Sequence, residues 1–267
     1  MTEHTHKQYD AELEEIRSRL LQMGGLVEAQ ITGAIDGLAN GDLATLEQVI
    51  VRDVEVNKFE IELDEACSHI LARRQPAAGD LRMIITVIKM ITDMERAGDE
   101  AEKIARMAKM IHEAGRMNMP AVELWHMANT VVTMLRRALD AFARLDVQAA
   151  VQVVRQDKAV DAEWQGIIRQ LITYMIEDPR KISRSIELLF IAKALERIGD
   201  HAKNMCELVV YMVKGRDVRH TGVDNVEREA SAGRSGGTAW FGVSAPVPGP
   251  RAGPGPGADG RPRMTKP

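Results

Sequence analysis

The sequence predicts an all-α protein, built as two tandem three-helix units with a disordered C-terminal tail. Three observations carry that prediction. The chain is 45% hydrophobic but only 4% aromatic, so a large core must be filled with Leu, Ile, Val, Met and Ala, a palette that suits helices. Long stretches with the apolar spacing of one helix face are interrupted only at prolines and short polar turns, and no strand-like alternation competes with them. A motif is also written twice: "MERAGDEAEK" from Met94 returns as "LERIGDHAKN" from Leu195, 101 positions later.

The breaks define six helices. The first is expected over 8–39, ending at "ANGDL", whose Asp42 suits the N-cap of a second helix over 43–73. Pro76 closes that helix, and a third follows over 79–113. Pro120 opens a fourth over 120–143, ended by "RLDVQ", where Asp146 is the next N-cap. The fifth, 147–176, is separated by Pro179 from the sixth, 181–214. Connections this short make consecutive helices antiparallel neighbours. The repeat extends through the units: "DLATLEQVIVRD" from Asp42 matches "DVQAAVQVVRQD" from Asp146 at an offset of 104, and the change of offset falls in a turn where "ARRQPAAGDLR" is longer than "EDPRKIS". The units therefore span 8–115 and 116–215, with an extension over 216–267. From about residue 231 that extension is rich in Gly and Pro and is expected to be disordered.

Charge and hydropathy exclude several classes. The net charge is −4, and the tail sets five basic residues against Asp259, so the body is more acidic than the total. That balance argues against nucleic acid as a partner and for cations. The longest apolar runs, such as "MIITVIKMI" from Met83, meet charge well short of the roughly 18 residues a membrane span needs. The polar, acidic N-terminus carries no secretory signal, and Cys67 and Cys206 are expected to be buried, reduced thiols.

The candidate chemistry lies in carboxylate pairs. Glu95 with Asp99, and Glu196 with Asp200, each stand four apart on one helix face. The preceding helices carry Asp53 with Asn57 and Asp157 with Asp161. In an antiparallel hairpin, positions equidistant from the turn lie level. Asp53 and Asp99, like Asn57 and Glu95, are equidistant from Pro76; Asp157 and Asp200, like Asp161 and Glu196, are equidistant from the point between Asp178 and Pro179. Each hairpin should thus gather four oxygen-bearing side chains, a donor set for Mg²⁺, Mn²⁺, Ca²⁺ or iron rather than zinc. With four carboxylates against three and an amide, the second set should bind the tighter. The competing reading is solvated carboxylates paired to Arg52, Arg96, Lys103, Arg155 or Arg197. Gly98 and Gly199 lie inside helices at a cost of about 1 kcal/mol each against Ala, which implies close helix approach or room for an ion. Glu123 and His126 make one Glu-x-x-His, where a di-iron oxidase wants two. His201 is either an extra ligand or an exposed helix histidine. His4, His6, His69, His112 and His220 form no ligand-spaced cluster.

"RRQPAAGDLRMI" from Arg73, "DMERAGDEAEKIA" from Asp93 and "ALERIGDHAKNM" from Ala194 resemble the PhoU family of phosphate-uptake regulators over about residues 8–229. The resemblance implies two three-helix bundles with metal clusters on acidic pairs, which fall here on Glu95 with Asp99, Glu196 with Asp200, and Asp157 with Asp161. This chain departs from the pattern at Asn57. It further implies a cytoplasmic negative regulator of the phosphate-starvation response, without catalysis, linking the ATPase of the phosphate ABC transporter to a sensor histidine kinase and forming a homodimer. The alternative is a carboxylate-bridged metalloenzyme of helical-bundle type; beside the acidic pairs only His201 offers a proton-transfer group, which favours the adaptor.

Overall fold

The computed structural model describes residues 2–115, 122, 124–219 and 221–231. The expectations for Pro120, Glu123, His220 and the segment after Ser231 lie outside them. Six long helices follow one another: α1 (Thr2–Asn40), α2 (Leu43–Arg74), α3 (Ala78–Glu113), α4 (Leu124–Arg144), α5 (Val147–Glu177) and α6 (Ile182–Lys214). A 3₁₀ turn at Pro179–Lys181 sits between α5 and α6 where Pro179 was expected to break the chain. A seventh helix, α7 (Val223–Ser231), was not expected. It packs on α5 and α6 through the buried Val226 and Ala230, with Glu227 paired to Arg155 and Glu229 to Arg216.

Matching turns start the second helix of each unit. Asp42 Oδ1 accepts the backbone N–H groups of Ala44 and Thr45 at 3.1 and 3.2 Å, and Thr45 Oγ1 donates to Asp42 Oδ2 at 2.6 Å. Asp146 Oδ1 accepts from Gln148 and Ala149 at 2.9 and 3.0 Å. Both caps satisfy donors that the first helical turn leaves unpaired. The residue before each cap is left-handed: Gly41 at φ +72° and Leu145 at φ +56°. One geometry thus serves both repeats, although only the first supplies the residue that adopts it freely.

Helices α1, α2 and α3 pack on one another, as do α4, α5 and α6, and the two bundles join through α3 against α6 and α1 against α4. The core is aliphatic, with Leu20, Met23, Leu63, Met90 and Met94 fully buried, and among the described residues Phe142 is the one aromatic side chain buried with them. Polar groups cross the α3–α6 seam: His201 Nδ1 lies 2.9 Å and Asn204 Nδ2 3.3 Å from Asp93 Oδ1, and Arg197 pairs with Glu100 at 2.5 Å. His201 is therefore neither an exposed histidine nor placed as a ligand; it is buried between the repeats and held by Asp93. Among the described residues no helix is long and apolar enough to cross a membrane.

Candidate functional site

Each α-hairpin carries an acidic face at the level that turn-equidistance demands. In the first, Asp53 on α2 stands within electrostatic reach of Asp99 and Glu102 on α3, while Glu95 feels Asp99, Glu60 and Asp53. The Asn57 amide donates to Asp53 Oδ2 at 3.1 Å. Burial pushes the carboxyls of Asp53, Glu95, Asp99 and Glu60 above their ordinary values, and the neighbouring carboxylates push the same way. Asp53 is buried, and beside it the buried Gln30 amide, with Asn57, favours its charged form. A Cβ at Gly98 would meet Val56 Cγ1 at 3.2 Å, Gln30 Oε1 at 3.4 Å and Asp53 Oδ1 at 3.6 Å. The glycine is thus explained by the close approach of α1 and α2 to α3.

The second face gathers Asp157, Asp161, Glu196 and Asp200, with a difference. Lys203 Nζ donates to Asp157 Oδ2 at 2.6 Å, and the Lys193 ammonium bonds Glu196 while lying 5.7 Å from the centroid of the Trp164 ring. Burial raises the Asp200 carboxyl, as do Glu196, Asp157 and Asp161, with Lys203 opposing them. Burial disfavours the Lys203 charge, yet its bond to Asp157 and the carboxylates of Asp157, Asp200 and Glu207 hold the ammonium above its ordinary range. Beneath it, Glu207 is buried and pushed up to about 7, first by burial and then by Asp157 and Asp217, against Lys203 and Arg219. A Cβ at Gly199 would find only ordinary contacts, with Val160 at 3.5 Å and Val131 at 3.7 Å.

All eight expected side chains thus fall on the two faces, four to each. Among the described residues, however, no three His, Cys, Asp or Glu side chains stand close enough to chelate an ion as placed. The oxygen-only donors suit a hard divalent cation at the first face. Four of the cations expected to neutralise these faces go elsewhere: Arg52 to Glu55, Lys103 and Arg197 to Glu100, and Arg155 to Glu227. Arg96 acts on Glu95 only through space. Glu60, Glu102, Lys203 and Glu207 were missed; Glu60 follows Asp53 at helical spacing, and Glu102 and Lys203 occupy the same place in the repeated motif. His126 is exposed, and Cys67 and Cys206 are free, buried thiols whose ionisation burial opposes.

The PhoU domain model matches residues 20–108 and again 124–209. The chain is 47% identical over 234 residues to the "Phosphate-specific transport system accessory protein PhoU homolog" of Pseudomonas aeruginosa, covering 88% of this chain and 97% of the relative. It is 44% identical over 229 residues to the "Phosphate-specific transport system accessory protein PhoU" of Escherichia coli K12, covering 85% and 94%. Both relatives are named as accessory proteins rather than enzymes. The fold matches the crystal structure of PhoU from Pseudomonas aeruginosa with a TM-score of 0.75 at 48% identity, over 78% of this chain and 100% of that one. It also matches the phosphate transport system regulatory protein PhoU from Streptococcus pneumoniae, with a TM-score of 0.73 at 28% identity over 79% and 99%. With its motif repeated, its two bundles in place and the domain matched twice, the chain belongs to the PhoU family.

Proposed function

We propose that this chain is a negative regulator of the phosphate-starvation response, a cytoplasmic adaptor that couples a phosphate ABC transporter to its sensor histidine kinase and tunes phosphate uptake. It works as a homodimer, binds the transporter's ATPase subunit and the kinase, and meets the inner membrane only through them. The observation that carries this reading is the doubled PhoU domain, shared nearly end to end with relatives named as accessory proteins of phosphate-specific transport.

The acidic faces supply the physical input. Asp53, Glu95 and Asp99 hold Mg²⁺, Mn²⁺ or iron at the first face, with Asn57 orienting Asp53 through its amide. The bound cation relieves the repulsion that raises these carboxyls and ties α2 to α3, stiffening the surface offered to a partner. Asp157, Asp161, Glu196 and Asp200 offer the same donor type at the second face but share it with Lys203 and Lys193. A metalloenzyme would need an open coordination position with a proton-transfer group beside it. His201, the candidate for that part, is taken up by Asp93 in the seam between the repeats, which supports binding over turnover.

The test is to present the transporter ATPase and the kinase separately to the immobilised full chain, with and without Mn²⁺. Both should be retained, and the combined Asp53→Asn, Glu95→Gln, Asp99→Asn variant should lose Mn²⁺ uptake at the first face. Retention of neither protein, together with metal-dependent hydrolysis or oxidation by the purified chain, would transfer the assignment to the metalloenzyme.

A further inference from the structure

The two acidic faces differ at corresponding positions of the repeat, and four of the differences beside them make the second face less negative, although Asn57 of the first corresponds to Asp161 of the second. At the offset of 104, Glu60 and Asp64 of α2 correspond to Trp164 and Ile168 of α5. At the offset of 101, Thr92 of α3 corresponds to Lys193 of α6, and Glu102 to Lys203. One helical turn further on, Arg106 corresponds to Glu207, so the pair is charge-swapped between repeats. In the first repeat Glu102 looks towards Asp53 and is met by Arg106 from the solvent side, Arg106 being 60% exposed. In the second, Lys203 points the other charge at the acidic face, reaching Asp157 at 2.6 Å, while Glu207 lies buried beneath it. The Asp157 side chain is only 5% exposed, so the ammonium that meets it replaces water that is no longer available.

We infer that Lys203 is a built-in counter-ion occupying the cation position of the second acidic face, so that the first face alone takes up a free divalent ion. The inference builds on the metal reading above and concerns what distinguishes the repeats. A tethered ammonium acts at an effective concentration of roughly millimolar or more, set by its short side chain, and a free Mg²⁺ or Mn²⁺ must outcompete it at every encounter. It also brings a like charge up against any ion that enters, and Lys193 at Glu196 adds a second. The greater carboxylate count of the second face therefore does not make it the tighter site. The ammonium supplies permanently what the first face receives only when an ion is present, leaving one repeat responsive and the other fixed.

The experiment uses the full chain and Mn²⁺, read by titration calorimetry and by thermal unfolding with and without the ion. Six proteins are compared: the unaltered chain, that chain with Asp157→Asn, Asp53→Asn with Asp99→Asn, that double variant with Lys203→Gln, the same with Lys203→Arg, and the Lys203→Gln protein with Asp157→Asn added. The double variant should bind no Mn²⁺. Adding Lys203→Gln should create a site about tenfold or more tighter than any residual binding, as expected for removing a like charge from a carboxylate site, and its unfolding midpoint should rise with Mn²⁺. Lys203→Arg keeps the charge and should show neither effect. Because Lys203→Gln leaves Asp157 unpaired, Asp157→Asn is paired with it as a control that restores folding and removes the new site. If the Lys203→Gln protein takes up no Mn²⁺ and its midpoint ignores the ion, the inference fails whatever the first face does. It fails equally if the unaltered chain binds two ions and Asp157→Asn removes one. If the unaltered chain binds none while the Lys203→Gln protein binds one, the inference stands and the metal reading of the first face falls.

Discussion

Replacing each motif glycine by alanine gives opposite results in the two repeats if Gly98 serves helix approach rather than space for an ion. In a helix interior, Gly to Ala gains about 1 kcal/mol from backbone entropy. At Gly199 nothing opposes that gain, since the new methyl would lie 3.5 Å from Val160, 3.7 Å from Val131 and 4.0 Å from Met134, all ordinary contacts. Gly199→Ala should therefore raise the midpoint by about 2–4 °C. At Gly98 the methyl would lie 3.2 Å from Val56 Cγ1, and Val56 is 1% exposed. A β-branched side chain in a helix has one favoured rotamer, so Val56 cannot swing aside, and overpacking of this kind costs about 1–3 kcal/mol. Gln30 Oε1 at 3.4 Å and Asp53 Oδ1 at 3.6 Å would be ordinary contacts, so the cost rests on Val56. The cost exceeds the gain, and Gly98→Ala should lower the midpoint by about 2–4 °C. Circular dichroism melts of the full chain in EDTA decide it. If both alanines stabilise the metal-free protein alike, the packing argument for Gly98 is wrong and room for an ion becomes the better account of that glycine.

Two further outcomes follow from the helix caps and the buried acid. Asp42→Ala and Asp146→Ala should each cost about 1 kcal/mol in urea unfolding, and neither should alter Mn²⁺ uptake. Glu207 is raised from an ordinary 4.5 to about 7, so the fold favours its protonated form; its stabilising contribution is complete below about 4.5 and is lost as pH rises through about 7. The urea midpoint of the metal-free chain should therefore climb as pH falls from 8 towards 5, a change on the order of 3 kcal/mol across the whole window. Glu207→Gln should remove that share and leave the smaller slope contributed by the raised carboxyls of Asp53, Glu95, Asp99 and Asp200. An unchanged slope in Glu207→Gln would mean that Glu207 is ionised throughout.

Local rules made most of the fold legible. Pro76 and Pro179 stand where a helix cannot continue, Asp42 and Asp146 carry the side chains that cap one, and turn-equidistance follows from helix rise alone, so the acidic faces could be placed residue by residue. What escaped depends on the third dimension. His201 sits on α6 with no local sign of burial; only packing against α3 brings Asp93 to it from 108 residues away. Lys203 was visible as the partner of Glu102 in the repeat, but its meeting with Asp157 depends on which way a long side chain turns. Helix α7 is nine residues long, too short to be stable alone, and it exists through Val226, Ala230 and its pairs to Arg155 and Arg216.

Regulation through binding is tested most directly by a phosphate-starvation reporter in the host bacterium, grown with ample phosphate after the gene for this chain has been deleted. The reporter should switch on in the deletion strain, return to its repressed level when the full chain is supplied, and stay on when the supplied chain cannot bind the kinase yet melts normally. A reporter that remains repressed without the chain would contradict the regulatory role outright, however well the fold and the acidic faces behave in the purified protein.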